Sequence, residues 1–209
     1  MRVPLTRIVL LGMLVVFLLA SCTTILMETG KKAFEDRTTE DQVTDSKIGA
    51  GILARLSNKD TGLLLDVSID TWEQRVLLTG TLDDPAVRDE VLQLVRSDTR
   101  IKQVYDEIHI VTLEEKERRR KEGEEQKKSN TEGIGQTVND LWIATKIEAQ
   151  LIAAKGVTSV NYRWRSVRNQ VYLIGRARSE AELNRVLEIC RNTKGVASVK
   201  HFVEIKAVP

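Results

Sequence analysis

The sequence contains few aromatic, cysteine and histidine residues. Aromatic side chains make up 4% of its 209 residues, whereas charged side chains make up 30%. Any hydrophobic core must therefore be small and mainly aliphatic. The two histidines fall in no metal-ligand spacing with Cys, Asp or Glu, and the chain has no nucleophile elbow, phosphate-binding glycine loop or HExxH motif. These absences predict a protein that is not an enzyme and that carries no metal or cofactor.

The first 21 residues have the pattern of an export signal. Arg2 and Arg7 precede an apolar run at 8–20, which is short for a membrane span and has the length of a signal-peptide core. The run ends in Leu-Ala-Ser-Cys at 19–22, which resembles the bacterial lipobox. The resemblance implies a lipoprotein signal peptide at 1–21 and acylation of Cys22. The alternative is an ordinary signal peptide or membrane anchor with a chance cysteine.

Lipidation of Cys22 would have two further consequences. Cys190 would lack a partner for an intramolecular disulfide, and we expect it to be a small buried hydrophobe, because it matches Val95 in the repeat described next. Thr23 replaces the Asp that retains enterobacterial lipoproteins in the inner membrane, which favours the periplasmic face of the outer membrane. Residues 22–44 are then predicted to be a lipidated tether.

A long segment of the chain recurs after 95 residues without a gap. VLLTG at 76–80 returns as VYLIG at 171–175, and the match extends from position 45 to position 110. Equivalent apolar and glycine positions include Ile48 and Ile143, Ile52 and Ile147, Leu56 and Leu151, Gly80 and Gly175, and Ile110 and Ile205. This repeat indicates a duplicated domain. Each copy is close to the lower size limit for an independent core, so packing of the two copies together would increase their burial.

Each copy is predicted to fold as αββαβ. In the first copy, Asp45 is a candidate N-cap, Leu65, Val67 and Ile69 alternate as in a half-buried strand, and 76–82 forms a central strand. The second helix begins at 83–85 and the last strand covers 104–111. The second copy repeats this order, with helices at 140–153 and 179–192 and strands at 160–165, 171–177 and 199–205. The prediction is an α+β fold of two tandem domains, 45–111 and 140–206, each a small sheet covered on one face by two helices.

The linker at 112–139 contains seven acidic and seven basic residues and has no net charge. We expect a solvated spacer, either helical or disordered over 114–128, followed by a flexible Gly-rich stretch at 129–139.

The order αββαβ, the strand motif VLLTG/VYLIG and helix starts of the form D-x-x-I-x-x-x-I resemble the BON domain family. Two such domains behind a lipobox resemble the lipid-anchored outer-membrane proteins of the DolP type in Gram-negative bacteria. The likeness covers about 43–206, with a linker that is long for this type. It implies phospholipid binding by the first helix of the second copy, centred on Trp142.

That helix differs from its counterpart in the first copy. Trp142 and Leu141 occupy the positions of Lys47 and Ser46, and Trp142 points more than about 90° away from the core stripe. An exposed Trp beside a Lys is typical of a membrane-interface helix. The candidate phospholipid-binding residues are Leu141, Trp142, Thr145, Lys146 and Ala149. The alternative is that the other copy or the linker covers Trp142.

Charge is also unequal between the copies. Residues 45–111 carry eight basic and twelve acidic residues, a net charge of −4, whereas residues 140–209 carry twelve basic and six acidic residues, a net charge of +6. Much of the excess comes from Arg163, Arg165, Arg168, Arg176 and Arg178. We expect this basic copy to face an anionic leaflet, since an exported lipoprotein rarely meets nucleic acid.

The first hypothesis is a non-catalytic, lipid-anchored envelope protein that binds anionic phospholipid and supports outer-membrane integrity. The second is a protein-binding adaptor for division or outer-membrane assembly, with Trp142 in contact with an envelope protein partner. A weaker third is a periplasmic stress protein or holdase.

Overall fold

The computed structural model describes residues 34–128 and 140–207, and both copies belong to one compact unit that starts at Asp36. The predicted signal peptide, Cys22, most of the predicted tether and the stretch 129–139 lie outside the described residues. The first domain consists of α1 (Thr39–Lys59), α2 (Leu63–Asp66), β1 (Val67–Trp72), β2 (Arg75–Leu82), α3 (Pro85–Arg96) and β3 (Gln103–Ile110). After the linker helix α4 (Leu113–Lys128), the second domain consists of α5 (Asp140–Ala153), a 3₁₀ turn (Ser159–Asn161), β4 (Tyr162–Val167), β5 (Gln170–Ala177), α6 (Glu180–Asn192) and β6 (Ser198–Ile205).

Both domains contain the same three-stranded mixed sheet. The first hairpin is antiparallel, and the last strand pairs in parallel with the central strand, β2 or β5. The register repeats as well, because Val67 lies opposite Gly80 and Tyr162 lies opposite Gly175. The predicted α+β fold of two tandem αββαβ domains is confirmed.

Two helices cover one face of each sheet and form an aliphatic core with it. The helical stripe Ile48, Ile52 and Leu56 is fully buried in the first domain, as is its counterpart in the second domain, which consists of Ile143, Ile147 and Leu151. Cys190 lies in the second core with no exposed surface, and burial raises the pKa of its thiol to about 12. It is the small buried hydrophobe that its position in the repeat predicts.

Gly80 and Gly175 occupy the same backbone site. Their φ angles are +131° and +154°, and a Cβ atom would lie 2.0 Å from the carbonyl oxygen of Asp66 or 2.2 Å from that of Asn161. The close backbone approach that the repeated glycine predicts is therefore present in both domains.

The first helix begins earlier than the sequence predicts. Thr38 is the N-cap of α1 and its side chain accepts a hydrogen bond from the amide of Asp41, so residues 39–44 are helical and do not belong to a tether. Asp45 is buried, and its carboxylate accepts hydrogen bonds from the amides of Glu73 and Gln74 in the β1–β2 turn. The N-cap assignment for Asp45 is wrong, because this carboxylate holds the two left-handed residues of the turn instead.

Asp140 has the same role in the second domain and accepts hydrogen bonds from the amides of Arg168 and Asn169. One smaller expectation also changes. Leu65 lies in the short helix α2 with 70% of its surface exposed, so the first strand starts at Val67. Ser179 caps α6 by accepting a hydrogen bond from the Glu182 amide, and the Glu182 carboxylate accepts hydrogen bonds from the amides of Arg178 and Thr158.

The two sheets pack against each other through the faces that their helices leave uncovered. Trp72, Leu77, Tyr172 and Ile174 form the buried centre of this contact, and the flanking side chains are Tyr105, Val167 and Phe202. The molecule therefore has four layers, with two sheets between two helical layers. The burial that each small domain lacks alone comes from its partner.

An approximate two-fold axis relates the two domains. Asp70 pairs with Arg165, and position 165 in the second copy is the equivalent of position 70 in the first. Tyr105 stacks on Phe202 at 4.1 Å between ring centroids, while Lys200 pairs with Glu107; positions 200 and 202 are the equivalents of 105 and 107. Reciprocal contacts of this kind are characteristic of a two-fold interface.

The linker begins with a helix that bonds to both domains. In α4, Lys116 and Arg120 pair with Asp66 of the first domain, and Arg119 pairs with Asp140 of the second. The expectation of a purely solvated spacer is therefore wrong for the first two turns of α4, which bridge the domains.

Candidate functional site

The candidate site is the exposed side of α5. The five predicted residues share this side, while the core stripe occupies the opposite side of the helix. Leu141 is 57% exposed and Trp142 is 37% exposed, so neither the first domain nor the described part of the linker, residues 112–128, fully covers the tryptophan. Thr145, Lys146 and Ala149 are also exposed.

Trp142 and Lys146 lie one turn apart and contact each other. The Nζ atom of Lys146 is 5.6 Å from the centroid of the Trp142 ring, within the range of a cation–π interaction. The pair therefore presents an aromatic ring and an ammonium group side by side at the surface. This arrangement suits an environment that is apolar at the ring and anionic at the ammonium group.

Ile152 belongs to the same side of α5 and is not among the residues predicted from the sequence. It lies eleven residues, or about three turns, after Leu141 and is 61% exposed. Helical periodicity would have identified it, since an apolar residue off the core stripe was the criterion that selected Leu141. We call the set Leu141, Trp142, Thr145, Lys146, Ala149 and Ile152 the α5 face.

The α5 face has no counterpart in the first domain. Its equivalents on α1 are small or polar: Ser46, Lys47, Ala50, Gly51, Ala54 and Ser57. At these six positions, large apolar side chains therefore occur in the second copy and not in the first. Lys146 is the charged residue of the α5 face.

The arginines that give the second domain much of its positive charge make contacts within the protein. Arg165 binds Asp70, Arg168 binds Glu115, and Arg178 binds Asp36. Arg176 lies 3.7 Å from Glu73 and donates to backbone carbonyls, and Arg163 lies over the Trp72 ring at 5.3 Å.

These contacts compensate much of the excess positive charge of the second copy, and the expectation that this copy faces an anionic leaflet stays a prediction. Opposite charges on the two copies attract each other across the interface, and the net charge of a segment does not reveal its partners.

Other cations remain on the helical side of the second domain. Lys155, Arg191 and Lys194 are exposed. A hydrogen bond of 3.2 Å from Thr193 to Gln150 brings the C-terminal ends of α5 and α6 together. Cationic side chains therefore lie near the C-terminal end of the α5 face.

His109 lies away from the α5 face, at the interface between the domains. Its Nε2 atom is 2.6 Å from the hydroxyl of Tyr172. Burial lowers the pKa of His109 and the nearby Arg168 lowers it further, while burial raises the pKa of Tyr172 to about 12. At neutral pH both groups are therefore uncharged, which suits a partly buried contact between the sheets.

Within residues 34–128 and 140–207, no three His, Cys, Asp or Glu side chains cluster in a way that could hold a metal ion. No helix in the same residues has the length and apolar character needed to cross a bilayer.

Comparisons with known proteins identify the repeat. A protein of Anaplasma centrale, described as an uncharacterized protein in the gshII 5′ region, is 31% identical over 163 residues, which cover 75% of this chain and 94% of that protein. The osmotically-inducible protein Y of Escherichia coli is 26% identical, with 78% of this chain and 73% of that protein covered. A 21 kDa hemolysin of Actinobacillus pleuropneumoniae is also 26% identical, with coverage of 79% and 76%. The model of the BON domain matches residues 44–112 and again residues 139–207, so the chain belongs to the BON-domain family and contains two copies of the domain.

Proposed function

We propose that this chain is a non-catalytic envelope protein whose second BON domain binds anionic phospholipid through the α5 face. Lipid on Cys22 anchors the protein to the periplasmic side of the outer membrane, as in double-BON lipoproteins of the DolP type, and the bound protein supports outer-membrane integrity. The observation that carries the proposal is the pairing of exposed Trp142 with Lys146 on a helix face whose equivalent positions on α1 are small or polar.

The chemistry of the α5 face fits the headgroup region of a bilayer. An indole ring is favourable at headgroup depth, and the exposed parts of Leu141 and Ile152 gain free energy when they leave water. Lys146 and the cations near the end of α5 each add about 1 kcal/mol beside an anionic surface. Each gain is small, so the face binds reversibly, and a lipid anchor would raise its effective concentration at the membrane.

The family and its members support this assignment. BON domains are associated with phospholipid binding and with proteins of osmotic and envelope stress. The Escherichia coli relative is named for osmotic induction, which agrees with a role at the cell envelope.

The test is binding of the mature chain without its lipid to vesicles of phosphatidylglycerol and phosphatidylcholine, measured by co-sedimentation. Trp142→Glu should reduce binding at least tenfold, because it removes the ring and places a carboxylate at an anionic surface. Lys47→Glu, at the equivalent position of α1, should leave binding within twofold.

Trp142 is partly buried, so its replacement could also weaken folding. Ile152→Glu, with Ser57→Glu as its matched control, tests a more exposed residue of the α5 face, and circular dichroism checks that each variant is folded. If folded Trp142→Glu and Ile152→Glu variants bind like wild type, the α5 face is not the contact. If the wild-type chain does not bind vesicles, the adaptor hypothesis replaces this one.

A further inference from the structure

Two residues ahead of α1 bond to both domains. Arg37 is buried, pairs with Asp45 of the first domain and lies over the Trp72 ring at 4.4 Å. Asp36, its neighbour in the chain, bonds to the second domain instead. We call Asp36 and Arg37 the entry segment, because the chain coming from Cys22 enters the folded unit there.

The second domain receives Asp36 in a polar notch formed by Asn161, Arg176 and Arg178. Arg178 donates two hydrogen bonds to the Asp36 carboxylate, at 2.6 and 2.8 Å. The amide of the fully buried Asn161 donates to that carboxylate at 2.7 Å, and its Oδ1 accepts from the Asp36 backbone N–H at 2.9 Å. Arg176 donates to the Asp36 carbonyl at 3.0 Å.

These bonds satisfy both ends of a buried amide and saturate one carboxylate. Burying Asn161 without a partner would be costly, so the notch is matched to the residue that fills it. The hydrogen bonds from Arg178 also lower the pKa of Asp36, which keeps the carboxylate charged over the physiological range.

The first domain has the same notch at equivalent positions, with opposite charge. Asp66 and Asp83 are the equivalents of Asn161 and Arg178, and the linker helix fills this notch with Lys116 and Arg120. The acidic notch of the first domain therefore holds basic side chains of α4, and the basic notch of the second domain holds the acidic side chain of the entry segment. Because the two notches differ in charge, neither segment fits the other notch.

We propose that the notch of the second domain is the docking site for the entry segment, and that this docking makes the lipid-anchored protein present its second domain to the membrane. The proposal rests on the lipid anchoring at Cys22 proposed above. A chain anchored at Cys22 reaches the folded unit at Asp36, and Asp36 is bonded to the second domain. The entry point therefore lies on the domain that carries the α5 face, although the next element in sequence is α1 of the first domain.

The test uses the full mature chain with its lipid, reconstituted in vesicles of phosphatidylethanolamine and phosphatidylglycerol. A donor dye is placed at Glu188→Cys in the second domain or at the equivalent Gln93→Cys in the first, and energy transfer to an acceptor lipid is measured. Both positions are exposed, while Cys190 is fully buried and is not labelled in the folded protein. Transfer should be larger from position 188 than from position 93.

Arg178→Glu should remove most of this difference, because it repels the Asp36 carboxylate. Its direct readout is hydrogen exchange at the Asp36 amide, which should become at least tenfold faster. Arg178→Lys keeps the charge and should retain part of the effect. Asp83→Lys, at the equivalent position of the first domain, disturbs only the linker-helix notch and should leave the difference in transfer unchanged.

The outcomes separate this proposal from the proposed function. If Arg178→Glu frees the Asp36 amide and the difference persists, docking does not orient the protein and the proposal is wrong. If Trp142→Glu abolishes the difference in energy transfer between positions 188 and 93 and Arg178→Glu does not, the α5 face alone sets the orientation. This outcome also overturns the docking proposal. If the unlipidated chain fails to bind vesicles but Arg178→Glu still removes the difference, the proposed function fails and the docking proposal stands.

Discussion

Replacement of Arg165 by Ala should show that the two domains are held together by complementary charge. The Asp70 carboxylate is 7% exposed and accepts hydrogen bonds from Arg165 Nε at 2.7 Å and from Nη2 at 3.1 Å. Arg165→Ala leaves this carboxylate buried without that partner. Asp70→Ala leaves Arg165, whose side chain is 47% exposed and can be solvated by water. The two single variants should therefore differ, with the larger loss for Arg165→Ala.

The expected loss for Arg165→Ala is about 2 kcal/mol, within the range for a hydrogen-bonded charge that loses its partner on one side. For a folded unit of this size, that loss lowers the melting temperature by about 4–8 °C. Asp70→Ala should cost about 1 kcal/mol or less. The exposed pair Arg185 and Glu188 on α6 provides a control, since Arg185→Ala should change stability by less than about 0.5 kcal/mol.

Urea unfolding of the wild type, both single variants and the double variant Asp70→Ala with Arg165→Ala gives the coupling free energy directly. The double variant should be more stable than Arg165→Ala alone, because it no longer buries an unpaired carboxylate. If Arg165→Ala costs no more than Arg185→Ala, or if the two single losses simply add, the pair does not hold the domains together and the reasoning fails.

Two further predictions concern backbone geometry and pH. Gly175→Ala should destabilise the protein by about 3 kcal/mol or more, because its Cβ would lie 2.2 Å from the Asn161 carbonyl oxygen. In contrast, the Cβ of Gly49→Ala on α1 would meet no atom within 4 Å, so this variant should stabilise the protein by about 0.5–1 kcal/mol. Equal melting temperatures for the two variants would contradict this prediction. Burial lowers the pKa of His109 in the folded state, so the unfolded chain binds a proton on this residue more readily. The free energy of unfolding should therefore keep its full His109 contribution above about pH 6.5 and should decrease as the pH falls below that value. His109→Gln should reduce the pH dependence of the urea midpoint between pH 7.5 and 5.5 and leave the part that comes from His201, whose pKa burial also lowers. An unchanged slope would show that His109 is not responsible.

The sequence predicted the fold well because the repeat doubled each signal. The helical stripe at Ile48, Ile52 and Leu56 and the glycine at position 80 each recur after 95 residues, so the prediction for each copy supports the prediction for the other. Leu77 contained a further signal, since it lies between the buried residues Val76 and Leu78 on the opposite face of β2. A strand apolar on both faces needs a second covering layer, and the other sheet supplies it.

Long-range polar contacts could not be predicted in the same way. Asp45 resembles an N-cap because it precedes an apolar stripe, but its partners lie 28 and 29 residues away in a hairpin turn. The arginines of the second copy raised its net charge, yet composition could not show that Asp70 and Asp36 neutralise two of them. The α5 face was largely predictable because one helix contains both its core stripe and its exposed side.

The approximate two-fold axis has a consequence for the origin of the chain. In a dimer of identical single domains, the residue at position 70 would face another copy of itself, and two aspartates or two arginines in that place would repel. The pair of Asp70 and Arg165 could arise only after the two copies were free to change separately, as they are within one polypeptide. The same holds for the oppositely charged notches. An isolated domain of this protein is therefore not a model of its ancestor, because its interface has been fitted to a partner that is no longer identical to it.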